Sequence, residues 1–168
     1  MLAAIEKKIG TEQFKKYKIL FLNSIGSSSY AAQGPTYSYL DDQQMYMDLV
    51  KVWQQSSILM HQLCDMNQIQ YYHFLQPNQY FEGSKPMTGK EKKIAFYEKH
   101  PYREGVVKGY PLLRKKGKEL VEMGVNFHDL TMIFEHNDLI LYNDGCCHLN
   151  YQGYLIIAKR ILHVITGG

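Results

Sequence analysis

An aspartate and a histidine stand close together near the end of the chain, in the stretch DGCCH at residues 144–148. A carboxylate at this spacing can accept a hydrogen bond from one ring nitrogen of the imidazole, which fixes the tautomer of the ring. Asp144 and His148 are therefore candidates for the orienting acid and the general base of a hydrolase that uses a side-chain nucleophile. The spacing is also typical of a histidine packed at the start of a helix and an aspartate that caps a turn.

The two cysteines between these residues suggest a metal site or a thiol nucleophile. Structural zinc sites usually space their cysteines by two to four residues, and adjacent cysteines rarely reach one ion. We predict no metal and no cofactor. A thiol nucleophile is disfavoured as well, because adjacent loop residues such as Cys147 and His148 seldom direct both side chains at one substrate atom. Buried thiols, or a disulfide from Cys146 or Cys147 to Cys64, remain alternatives.

The elements that must position this stretch alternate between helical and strand-like patterns. Helical patterns cover residues 41–66, 88–99 and 107–123 and the segment after Asn150, and apolar strand-like runs cover 69–77, 125–134 and 139–144. Such alternation predicts βα units and an α/β fold with a mostly parallel sheet, covered by helices on both faces. Active sites of such sheets lie beyond the C-terminal ends of the strands. Gln76 and Asn78 follow the first strand and are predicted to line the substrate pocket, although Gln-Pro-Asn is equally good turn chemistry.

Several helix boundaries can be predicted from capping residues. Asp41, Thr88 and Asn150 are candidate N-caps, and Gln44 and Glu91 stand three residues after the first two, as in a capping box. The first helix is predicted to bury one face, formed by Met45, Leu49, Val52, Trp53, Met60, Leu63 and Cys64.

Length and charge limit the function classes. A chain of 168 residues with 45% hydrophobic residues predicts one domain over residues 1–168. Its net charge of +3 comes from 19 basic and 16 acidic residues that are spread along the chain, so no nucleic-acid partner is expected. No apolar run is long enough to span a bilayer and the N-terminus has no signal-peptide core. The sequence does not decide the compartment.

The stretch DGCCHLNYQGYLIIAKRI resembles the final block of SGNH, or GDSL-type, hydrolases, which contains an Asp and a His and leads into a last amphipathic helix. Together with the segments around LQPNQY and GVNFHDLTMIF, the resemblance covers roughly residues 45 to 165. It implies a three-layer α/β/α fold of flavodoxin-like type and hydrolysis of a small-molecule ester, such as an O-acyl group on a carbohydrate. His148 would be the general base and Asp144 its partner.

The chain departs from the family pattern at three points. The usual position of the aspartate, three residues before the histidine, holds Gly145, and neither a Gly-x-Asn-Asp block nor a Gly-Asp-Ser block is present. Ser24, in KILFLNSIGSS, has the position of a nucleophile after a first strand. However, the matching segments belong to the C-terminal part of the family domain, so we expect the nucleophile upstream of this chain. The sheet would then be incomplete at its N-terminal side, with an open edge that favours self-association. The alternative is a non-catalytic binding domain with the same fold.

Overall fold

The computed structural model describes Tyr39 and residues 41–167, and from Asp41 onward these residues belong to one compact unit. The described elements are, in chain order, α1 (Asp42–Met66), β1 (Tyr72–Leu75), α2 (Gly89–Ala95), α3 (Pro101–Glu122), β2 (Asn126–Asp129) and α4 (Tyr151–Thr166). Ser24 lies outside the described residues. A single domain over residues 1–168 stays a prediction.

The two strands form a parallel sheet, as the alternating pattern predicts. Tyr72 pairs with Asn126 and Leu75 with Asp129, and the ladder is extended by the Leu130 amide, which donates to the Leu75 carbonyl at 2.9 Å. The broad α/β class with a parallel sheet is confirmed, although both strands are shorter than their apolar runs.

The prediction of a third strand at residues 139–144 is wrong. This segment makes one isolated antiparallel bridge, between Tyr142 and Leu149. The amides of Leu141 and Tyr142 both donate to a side chain, Oε1 of Glu91, at 2.8 and 2.9 Å. Because the carboxylate takes the hydrogen bonds that a neighbouring strand would supply, the segment is extended but does not join the sheet.

Helix α1 begins directly after its predicted N-cap, but the face that it buries is not the predicted apolar face. The Asp41 side chain accepts from the Gln44 amide at 2.8 Å and is the N-cap. Four members of the predicted apolar face are about half exposed or more: Leu49, Val52, Met60 and Leu63. The buried positions of the helix are Val50, Gln54 and Ser57.

The polar residues on the buried face of α1 have partners on neighbouring elements. Gln54 Nε2 donates to Glu119 on α3 at 3.0 Å, and the Ser57 hydroxyl lies 2.7 Å from Nδ1 of His73 on β1. Hydrogen bonds therefore orient α1 on the sheet and on α3, which hydropathy alone does not reveal.

Helix α3 starts earlier than predicted. His100 is its N-cap and Pro101 its first residue, where the fixed φ of proline favours the helix and its missing N–H leaves no donor unsatisfied. Helix α2 ends at Ala95 rather than at residue 99. Gly124 follows the C-terminal end with a φ of +85°, a left-handed conformation that favours glycine just beyond a helix.

Helix α3 packs directly on β2 through a glycine. A Cβ atom on Gly117 would stand 2.2 Å from the Phe127 ring, so only glycine permits this approach. Phe127 belongs to a core with Leu75, Leu120 and Val125, against which Trp53 of α1 packs. This core joins α1, α3 and the two strands.

A second core lies under the segment that contains the candidate site. Its buried members are Ala95, Phe134, Leu141, Tyr142 and Leu149, and Ile156 and Ile157 of α4 pack against them. The start of α4 and residues 141–149 are thereby fixed on the end of α2. None of the described helices is long and apolar enough to cross a membrane.

Candidate active site

The loop that carries Asp144 and His148 is closed by hydrogen bonds at its base. The Asn143 amide donates to the His148 carbonyl at 2.9 Å, and Asn143 Nδ2 donates to the Leu149 carbonyl at 3.1 Å. Asn150 is the N-cap of α4, as predicted, because its Oδ1 accepts from the Gly153 amide at 3.0 Å. The loop therefore leads straight into a capped helix.

Asp144 and His148 form a hydrogen-bonded pair. Oδ2 of Asp144 lies 2.6 Å from Nδ1 of His148, while Oδ1 accepts from the amides of Cys146 at 2.8 Å and of His148 at 3.3 Å. One carboxylate thus caps the turn and hydrogen-bonds the ring, while the roles of general base and orienting acid stay a prediction. With Nδ1 as the donor, Nε2 is the proton acceptor of the neutral ring.

Hydrogen bonds lower the pKa of the acid of this pair. The hydrogen bond to His148 holds the pKa of Asp144 below its ordinary value of 3.8, the slight burial of the carboxyl opposes this, and the amides of Cys146 and His148 lower the pKa further. The carboxylate is therefore ionised at neutral pH. The His148 side chain is 62% exposed, so the ring can meet a substrate from solvent.

The pair lies beside the C-terminal end of β1, the edge predicted for an active site. Gln76 follows β1 directly, and its Nε2 donates to Sγ of Cys147 at 3.8 Å. Asn78 is 5% exposed, and its Oδ1 accepts from the Tyr80 amide at 3.0 Å, as in a turn. A contact of Gln76 or Asn78 with substrate stays a prediction.

A buried tyrosine that sequence reasoning missed lies beneath this edge. Burial raises the pKa of Tyr110 to about 12, the nearby Cys147 acts in the same direction, and hydrogen bonds with Gln76 and Asn78 act against it. The Tyr110 hydroxyl thus bonds two of the residues that follow β1. Its position inside a helix with an ordinary apolar pattern gave no signal of this role.

The cysteines of the loop are free thiols, as is Cys64. Burial raises the pKa of Cys147, and Cys146 and Asp144 add to the effect, so the thiol stays protonated at neutral pH. A protonated thiol is a poor nucleophile. Within residues 41–167 no group of three or more His, Cys, Asp or Glu side chains is placed to hold a metal ion.

The packing around Gly145 leaves no room for a side chain at this position. A Cβ atom on Gly145 would lie 2.4 Å from the Tyr97 ring and 3.1 Å from His100. A side chain at this position would collide with both rings. Asp144 reaches His148 from one residue earlier instead.

Four further buried side chains bind the backbone of residues 137–145, and the sequence predicted none of these contacts. They belong to Gln79, Tyr80, Lys85 and Glu91. Glu91 is the third residue after Thr88, whose Oγ1 accepts from its amide, but its carboxylate does not complete the predicted capping box. That side chain contacts residues 50 positions later in the chain, a contact that no local pattern signals.

The candidate nucleophile is not among the described residues. In that part of the chain no hydroxyl donates to the His148 ring, whose hydrogen-bond partner is Asp144. Comparisons with models of protein families, with curated proteins and with solved structures found no match.

Proposed function

We propose that this chain supplies the general base and the orienting acid of an SGNH-type hydrolase that cleaves a small-molecule ester. The observation that carries the proposal is the 2.6 Å hydrogen bond between Asp144 and His148 on an exposed loop beside the C-terminal end of a parallel strand. The resemblance of the final block to that family supplies the reaction class.

In the proposed mechanism, Nε2 of His148 takes the proton of a serine hydroxyl as the oxygen attacks the ester carbonyl. His148 later returns that proton to the leaving alcohol. The ionised Asp144 stabilises the imidazolium that forms between these two steps. The nucleophile is either Ser24 or a serine in a segment upstream of this chain. The full three-layer α/β/α fold is part of the same proposal.

Fluorophosphonate labelling tests the proposal, because these probes react with activated serines. The chain, and any longer natural form in the same reading frame, is treated with the probe, and the labelled peptide is identified by mass spectrometry. We expect one labelled serine in the native protein, with labelling lost in His148→Ala. His136→Ala is the matched control, because His136 is exposed and contacts Glu135.

The outcome also separates the two function classes. Serine labelling that needs His148 but not His136 supports the hydrolase, and the labelled position shows whether Ser24 is the nucleophile. Absence of labelling in every folded form, or labelling that survives His148→Ala, contradicts it. The chain would then be a binding domain in which Asp144 and His148 stabilise a turn.

A further inference from the structure

Two adjacent buried side chains hold the backbone at the start of the candidate loop. Gln79 Nε2 donates to the carbonyl oxygen of Asp144 at 3.0 Å, and the Tyr80 hydroxyl donates to the carbonyl oxygen of Gly145 at 2.9 Å. We propose that Gln79 and Tyr80 are positioning residues that set the distance between Asp144 and His148. This inference rests on the proposed function for its catalytic meaning, but its structural content can be tested without a substrate.

The Gln79 amide is anchored at a second point. Its Nε2 also donates to the carbonyl of Ala95, the last residue of α2, at 3.0 Å. The two hydrogens of one amide group thus tie Asp144 to the end of a helix. Gln79 is 4% exposed, so water does not compete for either bond.

The Tyr80 ring is fixed by aromatic neighbours. Its centroid lies 5.2 Å from that of Phe96 and 5.8 Å from that of His100, and the residue is 5% exposed. These two contacts and the burial of the ring restrict the position of its hydroxyl. The carbonyl of Gly145 is therefore fixed with respect to the start of α3.

A buried ion pair holds the residues just before the loop. Oε1 of Glu91 accepts from the amides of Leu141 and Tyr142, and its Oε2 lies 2.8 Å from Nζ of Lys85. Both charged side chains are 0% exposed. The lysine ammonium also donates to the Asn137 carbonyl at 2.9 Å, so the pair spans both ends of the segment that leads to the site.

These contacts follow one pattern along residues 141–145. Glu91 accepts from the amides of residues 141 and 142, and Gln79 and Tyr80 donate to the carbonyls of residues 144 and 145. In a sheet, a neighbouring strand would pair with these backbone groups. The segment gains the rigidity of a strand without belonging to the sheet. Since Asp144 is held at its own carbonyl, its carboxylate has little freedom to leave the His148 ring.

The experiment that tests this proposal measures the tautomer of the His148 ring. Nitrogen chemical shifts of the neutral His148 ring distinguish the tautomer with a proton on Nδ1 from the one with a proton on Nε2. In the native chain we expect the Nδ1–H form to dominate. Tyr80→Phe removes one hydroxyl and keeps the ring, and Gln79→Met removes the amide at similar volume, so both should lower the fraction of the Nδ1–H form.

A second readout follows Asp144. Its pKa, measured from the carboxyl carbon shift, should rise towards 3.8 in both variants as the bond to His148 weakens. Tyr72→Phe is the matched control, because that hydroxyl donates to the nearby exposed Gln70. Native shifts at His148 and Asp144 in a folded Tyr80→Phe, or equal changes in Tyr72→Phe, would overturn the inference.

The catalytic consequence has its own test. If the serine label of the proposed function is observed, Tyr80→Phe should slow labelling by roughly tenfold or more, because a displaced base loses its alignment. If no serine is labelled in any form, the hydrolase proposal fails and the tautomer measurement still decides whether Gln79 and Tyr80 hold the pair.

Discussion

Asp144 combines two tasks that proteins often divide between residues. One carboxylate oxygen accepts from two amides of its own loop and the other from the imidazole. Any change at this side chain therefore alters both the fold of the loop and the orientation of the ring. A loss of activity after mutation of Asp144 would have to be separated from a loss of loop structure.

The depressed pKa of Asp144 predicts how stability depends on pH. A carboxyl with a lower pKa in the folded state contributes stability above its unfolded pKa and loses it as the pH falls through the folded value. The native chain should therefore be more stable than Asp144→Asn at neutral pH, and the difference should shrink as the pH falls from the ordinary value of about 3.8 towards the lower pKa of the folded state. Urea denaturation between pH 7 and pH 3 measures this.

The control for this prediction is another exposed acid. Asp138→Asn removes a carboxylate from an exposed position, so its effect on stability should be small. A difference between the native chain and Asp144→Asn that persists unchanged at pH 3 would mean that the bond to His148 is not the cause.

Replacing glycine by alanine should have opposite effects on stability at two positions of α3, because Gly117 contacts the Phe127 ring and Gly105 contacts no neighbouring side chain. Gly117→Ala places a methyl group inside the ring contact and should lower the free energy of unfolding by about 1–3 kcal/mol. A methyl group on Gly105, in the same helix, would meet no neighbouring side chain within 4 Å, so Gly105→Ala should raise it by up to about 1 kcal/mol. Thermal or urea unfolding of both variants gives the comparison, and equal effects would contradict the close approach.

The polar residues on the buried face of α1 give a second pair of variants. Burial lowers the pKa of His73, so its ring is neutral at pH 7 and shares a hydrogen bond with the Ser57 hydroxyl. Ser57→Ala leaves a half-buried ring nitrogen without this partner and should cost about 1 kcal/mol of unfolding free energy. Ser56→Ala, one residue earlier, loses only an exposed bond to the Val52 carbonyl and should be close to neutral. Similar losses in the two variants would show that the bond does not stabilise α1 on the sheet.

The features that the sequence predicted correctly are local. The caps Asp41, Thr88 and Asn150 act on amides three residues away, and Asp144 and His148 are four apart, so their contacts can be read from spacing. The buried face of α1 could not be read in this way, because residues on other elements decide which face packs. Gln79 and Tyr80 were missed for the same reason, since each lies 65 residues from the carbonyl that it binds.

Helix α1 presents an apolar surface on its outer side. Leu49, Val52, Leu59, Leu63 and Met66 are each at least half exposed, on the side opposite Val50 and Ser57. Apolar surface of this extent on one helix favours association. In the described part of the chain each strand also has a single neighbour, which leaves an edge of each open.

We therefore expect the purified chain to self-associate as its concentration rises. Light scattering after size-exclusion chromatography, from micromolar to several hundred micromolar protein, measures this. The double variant Leu49→Lys and Leu63→Lys should shift association to higher concentration with little change in unfolding free energy, because both side chains are already exposed. If the native chain stays monomeric throughout this range, neither surface drives association. Unchanged association of the double variant would direct attention to the sheet edges.

The parallel pairing of β1 with β2 also governs how the chain folds as it is made. Residues 76–125 separate the two described strands, so β1 leaves the ribosome before its partner β2 is made. At a synthesis rate of about 5–20 residues per second, the partner strand follows roughly 3–10 seconds later. During that interval the apolar side chains of β1 must be shielded by α1 or by a chaperone, and a slower codon in this stretch would lengthen their exposure.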